Sequence, residues 1–441
     1  MKKLSQICLW SSGVAIGVLL AGIVMQQPAL YKAASLIAAC TLAIGIGAVP
    51  VLKGFQYTAW IIAAVVAGMV YPAAFTQWGE FDLRNKWLIL VIVQLVMFGM
   101  GIQMSIRDFT GIRQTGKGVL VGLICQFTVM PFSGLLLITV FDFEPEIAAG
   151  IILIGSCSSG LASNVMTYLA RANLVLSVVV TAMCTLASPF VTPLMMKLLA
   201  GTLIEVSFAD MMLEIIKIVI VPIGAALLHD YLKTATPRGN NAVMQFFIAG
   251  IIWLIALPLG GWQLMKQVAG EGLLLQVLEV IGFLWGAVVA GVLYHWLAIR
   301  WARLDSIMPY CSMFGIVYFT TVTTAAGREN LMQVGGLLFI AAVLHNAAGY
   351  FLGYWLARLF GLDKNSSRTI AFEVGLQNGG MASGIAGSMG KLGTVGLPAA
   401  VFSPWMNISG SILANYWRTR KIKEGKEEEK VEMEKSIAKE V

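Results

Sequence analysis

Apolar runs of about twenty residues, parted by short polar stretches, recur from one end to the other of this 441-residue chain. Each is long enough to cross about 30 Å of hydrocarbon. Without water in that layer a spanning segment must satisfy its own backbone groups, which selects helices. About fourteen such runs begin near Ile7, Ala33, Tyr57, Trp87, Lys117, Ala148, Leu174, Met211, Val243, Leu273, Ile307, Val334, Thr369 and Val395. The pattern predicts an all-α polytopic membrane protein without a large soluble domain. The first run, behind Lys2 and Lys3, is too long for the core of a signal peptide and lacks a small-residue cleavage site, so it is read as a retained helix.

Composition agrees, with 58% hydrophobic and only 12% charged residues against about 25% charged in soluble domains. The net charge of +7 does not point to nucleic acid. Its basic residues sit in alternate loops: Arg107, Arg113 and Lys117; Lys233 and Arg238; Arg300 and Arg303; Arg358, Lys364 and Arg368; then the tail from Arg418. The intervening loops carry Glu80 with Asp82, and Asp142, Glu144 and Glu146. By the positive-inside rule both termini are expected in the cytoplasm and the number of spans is even. Six cysteines, Cys8, Cys40, Cys125, Cys157, Cys184 and Cys311, lie in apolar runs without a CxxC pair, so they indicate neither disulfides nor a metal site. The Lys- and Glu-rich stretch from Lys421 to Val441 reads as a solvated tail.

Two apolar runs are interrupted by residues that sustain a helix poorly: GSCSSGLASN, Gly155 to Asn164, and EVGLQNGGMASG, Glu373 to Gly384. Backbone freed at membrane depth is tolerated only where it lines a cavity or meets protein or ligand, and paired breaks in two halves of a chain point to a transporter site. Glu373 is the sharpest signal, since a carboxylate in mid-membrane is costly unless paired, hydrated or bound to a cation. Its neighbours Gln377 and Asn378 are neutral oxygen donors, a set that suits a small hard cation. Glu279 stands alone near a span end and reads as structural, and His229, His295 and His345 read as packing residues. Ser177 and Thr181, four residues apart, share a helix face; the competing use of their hydroxyls is a bond to the carbonyl one turn back. For Gln126 the competing use is an interhelical hydrogen bond.

The stretches MFGMGIQMSIRDF (Met97 to Phe109), SNVMTYLARANLVLSVVVT (Ser163 to Thr181), LHNAAGYFLGYWLA (Leu344 to Ala357), RTIAFEVGLQNGG (Arg368 to Gly380) and NISGSILANYW (Asn407 to Trp417) closely resemble the bile acid:sodium symporter family, in the family's order from about Tyr57 to Arg418. The resemblance implies inverted five-helix repeats whose two broken helices cross at the membrane midplane, with about four extra helices in this chain. Its organisation would be extra N-terminal helices over 1–56, a first repeat over 57–200, a second over 201–418 with an inserted helix pair at about 243–298, and a charged cytoplasmic tail over 419–441. The resemblance further implies one sodium site at Ser163, Asn164, Ser177, Thr181 and Glu373, and another at Gln126, Glu373, Gln377 and the carbonyls of Val374 and Leu376. Substrate would lie at Ser159, Gly160, Leu161, Ala162 and Asn378.

The chain departs from the family at Ser158, Ser159, Gly160 and Leu161, where a Pro-Gly-Gly-Thr-like run is expected, and at Met406, where a histidine is common. These changes bear on the substrate more than on sodium. The expectation is a sodium-coupled symporter of a small organic anion in the cell (inner) membrane, working by alternating access, with Na+ as coupling ion and no cofactor. The oligomeric state and the part played by the extra helices stay open. An arsenite carrier, which would use Cys157, or a proton-coupled carrier, which would titrate Glu373, is the alternative within the same fold. No paired acid and base, HExxH or nucleophile elbow supports a membrane enzyme.

Overall fold

In the computed structural model, which describes residues 2–49, 52, 55–270 and 272–420, each expected apolar run becomes a helix or a helix pair. The tail expected over 419–441 lies, beyond Arg420, outside the described residues. Helix α1 (Lys2–Val24) folds back on α2 (Pro28–Gly45). Pro28 starts α2, where its missing N–H costs nothing. Five spans follow: α3 (Gln56–Val70), α4 (Lys86–Gly101), α5 (Ile112–Val140), the split span α6 (Pro145–Ser156) with α7 (Ala162–Leu169), and α8 (Leu174–Ala200). The next span runs from α9 (Phe208–Ile215) through a π turn (Ile216–Ile220) into α10 (Val221–Thr234). Then come α11 (Pro237–Ala256), a second π turn (Leu257–Gly261), α12 (Trp262–Ala269) and α13 (Leu273–Arg300). The chain ends with α14 (Leu304–Ala326), α15 (Arg328–Leu359), the split span α16 (Lys364–Gly375) with α17 (Gly379–Ser388), and α18 (Leu397–Thr419). Among the described residues eight helical segments are long and apolar enough to cross a membrane by length and composition alone.

Between α3 and α4 the sequence reading missed a two-stranded antiparallel ribbon, β1 (Gln77–Trp78) with β2 (Phe81–Asp82). It is too short for alternation to reveal, and it turns at Gly79, whose φ of +61° favours glycine. Arg84 hydrogen-bonds Asp82 there and holds that carboxyl below its ordinary range.

Span parity sets the architecture. Taking each split or π-turned span as one, α3 opens on an odd-numbered span and α9 on an even one, so the five spans from α3 and the five formed by α9–α10, α14, α15, α16–α17 and α18 run in opposite senses. The fourth of each five is the broken one, and the two broken spans are therefore antiparallel. Burial follows the same plan: residues 147–160 and 366–387 are buried without exception. The principal core gathers around them, with Val93, Met130, Leu153, Val180, Phe372 and Val374 wholly covered. The extra helices sit outside. Only 11% of the apolar window is buried in Pro237–Ala269, and only 11% in Leu273–Arg300.

Glu279 does not stand alone, as its sequence neighbourhood had implied. Lys217, on the π turn of another span, lies 3.5 Å from it and also bonds Glu214. A partner 62 residues away cannot be read from local sequence. The histidines are hydrogen-bonded: His345 Nε2 lies 2.8 Å from the Met130 carbonyl, and His229 lies between Asp305 and His295, at 3.3 Å and 3.2 Å.

Helix α3 approaches α14 through Gly68, where a Cβ would stand 2.6 Å from the Thr321 carbonyl oxygen and 3.0 Å from the Ala325 nitrogen. Backbone atoms cannot step aside, so Gly68→Leu is expected to cost about 1–3 kcal/mol and to lower the melting temperature of the detergent-purified protein. Gly224→Leu, whose Cβ meets nothing within 4 Å, should melt like the parent, and equal melting of both variants would contradict this packing.

Candidate functional site

The two breaks meet. Helix α6 stops at Ser156 as Cys157 turns extended, and the run Ser158, Ser159, Gly160 offers only poor helix formers. Helix α16 stops at Gly375, and Asn378 restarts the chain as the cap of α17, its Oδ1 accepting from the Met381 N–H at 3.0 Å. Between them the backbones pair as two short antiparallel segments: Gly160 N–H donates to the Leu376 carbonyl and Asn378 N–H to the Ser158 carbonyl, both at 2.9 Å. Gly160 is required there, because a Cβ would come within 2.8 Å of the Gln377 carbonyl oxygen.

On one side of this crossing lies the Glu373 carboxylate, fully buried. Ser177 Oγ stands 2.5 Å from its Oε1, while Ser159 Oγ and Thr181 Oγ1 stand 2.7 Å and 2.8 Å from its Oε2. Asn164 Oδ1 lies 2.8 Å from Ser177 Oγ and 3.3 Å from Thr181 Oγ1. Ser163 Oγ lies 3.3 Å from Thr181 Oγ1 and 2.8 Å from the Gly160 carbonyl. A hydroxyl has one proton to give. Ser177 and Thr181 each face both a carboxylate oxygen and the Asn164 carbonyl, so oxygens outnumber the protons between them. No lysine, arginine or histidine among the described residues lies within ion-pair distance of Glu373. No group of three His, Cys, Asp or Glu side chains among them could hold a metal ion. The cluster is a neutral-oxygen cage around one carboxylate.

Gln126 and Gln377 form a second group. Gln126 Nε2 donates to Gln377 Oε1 and to the Cys157 carbonyl, both at 2.8 Å, and Gln377 Nε2 donates to the Val374 carbonyl at 2.7 Å. The Leu376 carbonyl already accepts from Gly160. The hydrogen bonds of Glu373 run to the first group and to neither glutamine. Ser177 and Thr181 thus turn to the carboxylate; the carbonyl one turn back is not where Ser177 points.

A cavity of about 360 Å³ opens beside the crossing, lined by Gly160, Leu161, Ala162, Asn378 and Gly379 together with Tyr57, Gln103, Ser403, Asn407 and Ser411. Of the expected substrate residues only Ser159 is absent from this lining, its hydroxyl lying on Glu373 instead. Met406, at the position where a histidine was expected, lines the wall. With its Oδ1 spent on the cap, Asn378 keeps its Nδ2 for this side, where the nearest acceptor is Met100 Sδ at 3.8 Å. Sequence reasoning missed Thr167, whose Oγ1 lies 3.2 Å from Ser177 Oγ, and the polar face of α18. Both were signalled by four-residue spacing: Ser163 with Thr167, and Ser403, Asn407 and Ser411.

The family model described as the Sodium Bile acid symporter family matches residues 90–261. An uncharacterised sodium-dependent transporter of Bacillus subtilis (strain 168), YocS, is 33% identical over 371 residues, covering 84% of this chain and 92% of that one. A probable chloroplastic sodium/metabolite cotransporter of Arabidopsis thaliana, BASS1, is 26% identical over 360 residues, covering 81% of this chain and 72% of its own. The human ileal sodium/bile acid cotransporter is 25% identical over 305 residues, covering 68% of each.

Removing the Ser177 hydroxyl leaves one oxygen of a buried carboxylate without its shortest bond. Ser177→Ala is therefore expected to destabilise by about 1–3 kcal/mol, read as a lower melting temperature of purified protein in sodium-free buffer. Ser158→Ala should move it far less, since that hydroxyl meets only Met381 Sδ at 3.7 Å and Thr185 Oγ1 at 3.5 Å. Equal shifts would show that Ser177 does not anchor the carboxylate.

Proposed function

The chain belongs to the sodium bile acid symporter family, and from that premise we propose that it is a sodium-coupled symporter of a small organic anion working by alternating access in the cell membrane, with both termini cytoplasmic. The observation that carries the sodium reading is the proton shortage around Glu373. A fully buried carboxylate with hydroxyl and amide oxygens about it, and no basic side chain among the described residues to neutralise it, wants a monovalent hard cation. One sodium would take Ser163, Asn164, Ser177, Thr181 and Glu373. A second would take Gln126, Gln377, Glu373 and the carbonyls of Val374 and Leu376, after the glutamine amides turn their oxygens inward.

The substrate reading rests on the cavity at the crossing and on Asn378 Nδ2, a donor facing only a thioether there. An amide donor beside the Gly160–Ala162 backbone suits a carboxylate or sulfonate, and the adjoining Met100, Met313 and Ile316 suit its apolar part. The geometry supports coupling. The backbone that lines the cavity at Gly160 and Asn378 is bonded to the strand carrying Gln377, and Ser159 beside it bonds Glu373. Sodium bound at the carboxylate would fix the wall that receives the anion, and the anion would in turn raise sodium affinity, as reciprocal linkage requires.

Glu373→Ala should abolish sodium-driven uptake while the protein still reaches the membrane, and Glu373→Gln should be nearly as inactive because it keeps shape and loses charge. Full uptake by either variant would end the proposal. Gln377→Ala and Ser163→Ala each remove one contact, expected to cost on the order of 1–3 kcal/mol, or about tenfold to a hundredfold in apparent sodium affinity. If both sites share Glu373, the double variant will be non-additive. Ser158→Ala should leave sodium affinity unchanged, and Cys157→Ser should transport nearly as the parent does. The substrate is to be sought by melting the purified protein with organic acids in the presence and absence of sodium, since a ligand that stabilises only in sodium identifies both partners.

A further inference from the structure

A larger cavity, about 790 Å³, shares no lining residue with the one at the crossing and lies at the other end of the bundle. One wall is the body of the protein: α4 at Trp87, Leu90 and Val93, the first π turn at Lys217 and Ile218, and α17 at Gly384 and Ser388. The other is the inserted pair: Leu254, Leu257 and Trp262 from α11 and α12, with Leu278, Phe283 and Gly286 from α13. Both π turns border it, and π turns recur where a helix is reshaped around a site. The second turn holds Gly260 at φ +108°, a bend that glycine alone takes without strain.

Charge selects the occupant. Glu214 and Glu279 both bond Lys217. Lys86 and Lys266, which also line the cavity, have no carboxylate at ion-pair distance among the described residues; Lys266 stacks on the Trp262 ring at 5.4 Å. By span parity Lys86, at the start of α4, and Lys266, near the end of α12, mark the same end of the bundle. Lysine beside tryptophan at a helix end is the arrangement of the headgroup level of a bilayer. Apart from Lys217 with its two carboxylates and Ser388, the rest of the lining is apolar. The apolar part of a space of this size suits a hydrocarbon chain better than ordered water, which needs two to four polar partners. The inserted helices are exposed on their outer faces, so the cavity adjoins the lipid itself.

We propose that the inserted helix pair builds a binding site for an anionic membrane phospholipid, its headgroup between Lys86 and Lys266 and an acyl chain along Leu254, Leu278 and Phe283. The lipid lies against α17, the half-helix that continues from the crossing. This inference does not depend on which ion or substrate the crossing handles, and its test reads binding alone.

The full-length protein, delipidated in detergent, is titrated with phosphatidylglycerol and with phosphatidylcholine, and adducts are counted by native mass spectrometry. Wild type should retain phosphatidylglycerol in preference. Lys86→Ala combined with Lys266→Ala should weaken it by roughly tenfold or more and erase the preference over phosphatidylcholine. Gly286→Phe should lower retention of both lipids, because Gly286 lines the cavity and a Cβ there meets nothing within 4 Å, which leaves room for added bulk. Equal retention of the two lipids by wild type, or unchanged phosphatidylglycerol binding in both variants, would overturn the proposal. Displacement of the lipid by a micromolar soluble alkyl carboxylate would reassign the site to a free organic anion.

Discussion

Two backbone hydrogen bonds hold the two broken spans together at their crossing: Gly160 N–H to the Leu376 carbonyl, and Asn378 N–H to that of Ser158. A helix cannot simply stop inside hydrocarbon, because each freed N–H or C=O left unmet there costs several kcal/mol. Here two helices stop at the same place, and each break supplies the partners that the other lacks. The bonds require two backbones at close range, which is why Gly160 leaves no room for a Cβ against the Gln377 carbonyl. They also require antiparallel chains, and an even number of spans between the two broken ones supplies that. Repeat inversion and the crossing are thus one constraint seen at two scales.

Once the breaks are joined, the polar chemistry has little freedom. Ser159 is carried onto Glu373 from the opposite half of the chain, and Gln126 is brought to Gln377 across 251 residues. The cluster assembles side chains from α7, α8 and α16, so no single helix holds a complete set of oxygens. On the proposed sodium reading a carrier that must bind and release its ion gains from this: displacing any one of the three elements would open the cage, whereas a site on one helix would persist through the motion.

Most of the membrane architecture and half of the site were legible in the sequence. Apolar length reports a span directly, and a run such as Cys157 to Gly160 betrays a break because its residues cannot sustain a helix. Glu373 announced itself by cost. What could not be read was whom each polar group meets. Nothing near Glu279 indicates Lys217, and the alternation that reveals strands needs more residues than Gln77–Trp78 and Phe81–Asp82 provide. Ser159 looked like a substrate residue because it belongs to the break, yet a one-residue difference in direction turns its hydroxyl to the carboxylate while Gly160 faces the cavity. The face of α18 at Ser403, Asn407 and Ser411 was legible in principle, since residues four apart share a helix side.

Gly160 stands between the carboxylate cluster and the cavity. Its amide is tied to Leu376, two residues from the strand's Val374 carbonyl and three from Glu373, and its own carbonyl accepts from Ser163 Oγ. Its α-carbon side lines the cavity. Any shift of the carboxylate cluster therefore moves a hydrogen-bonded backbone whose other surface is the cavity wall, with no flexible side chain between to absorb it. Because packed cores switch between arrangements more readily than they deform continuously, a change at Glu373 should reach the cavity as a rearrangement of the crossing as a whole. On the proposed reading the two breaks act as a single bistable element, the property a coupled carrier needs from its centre.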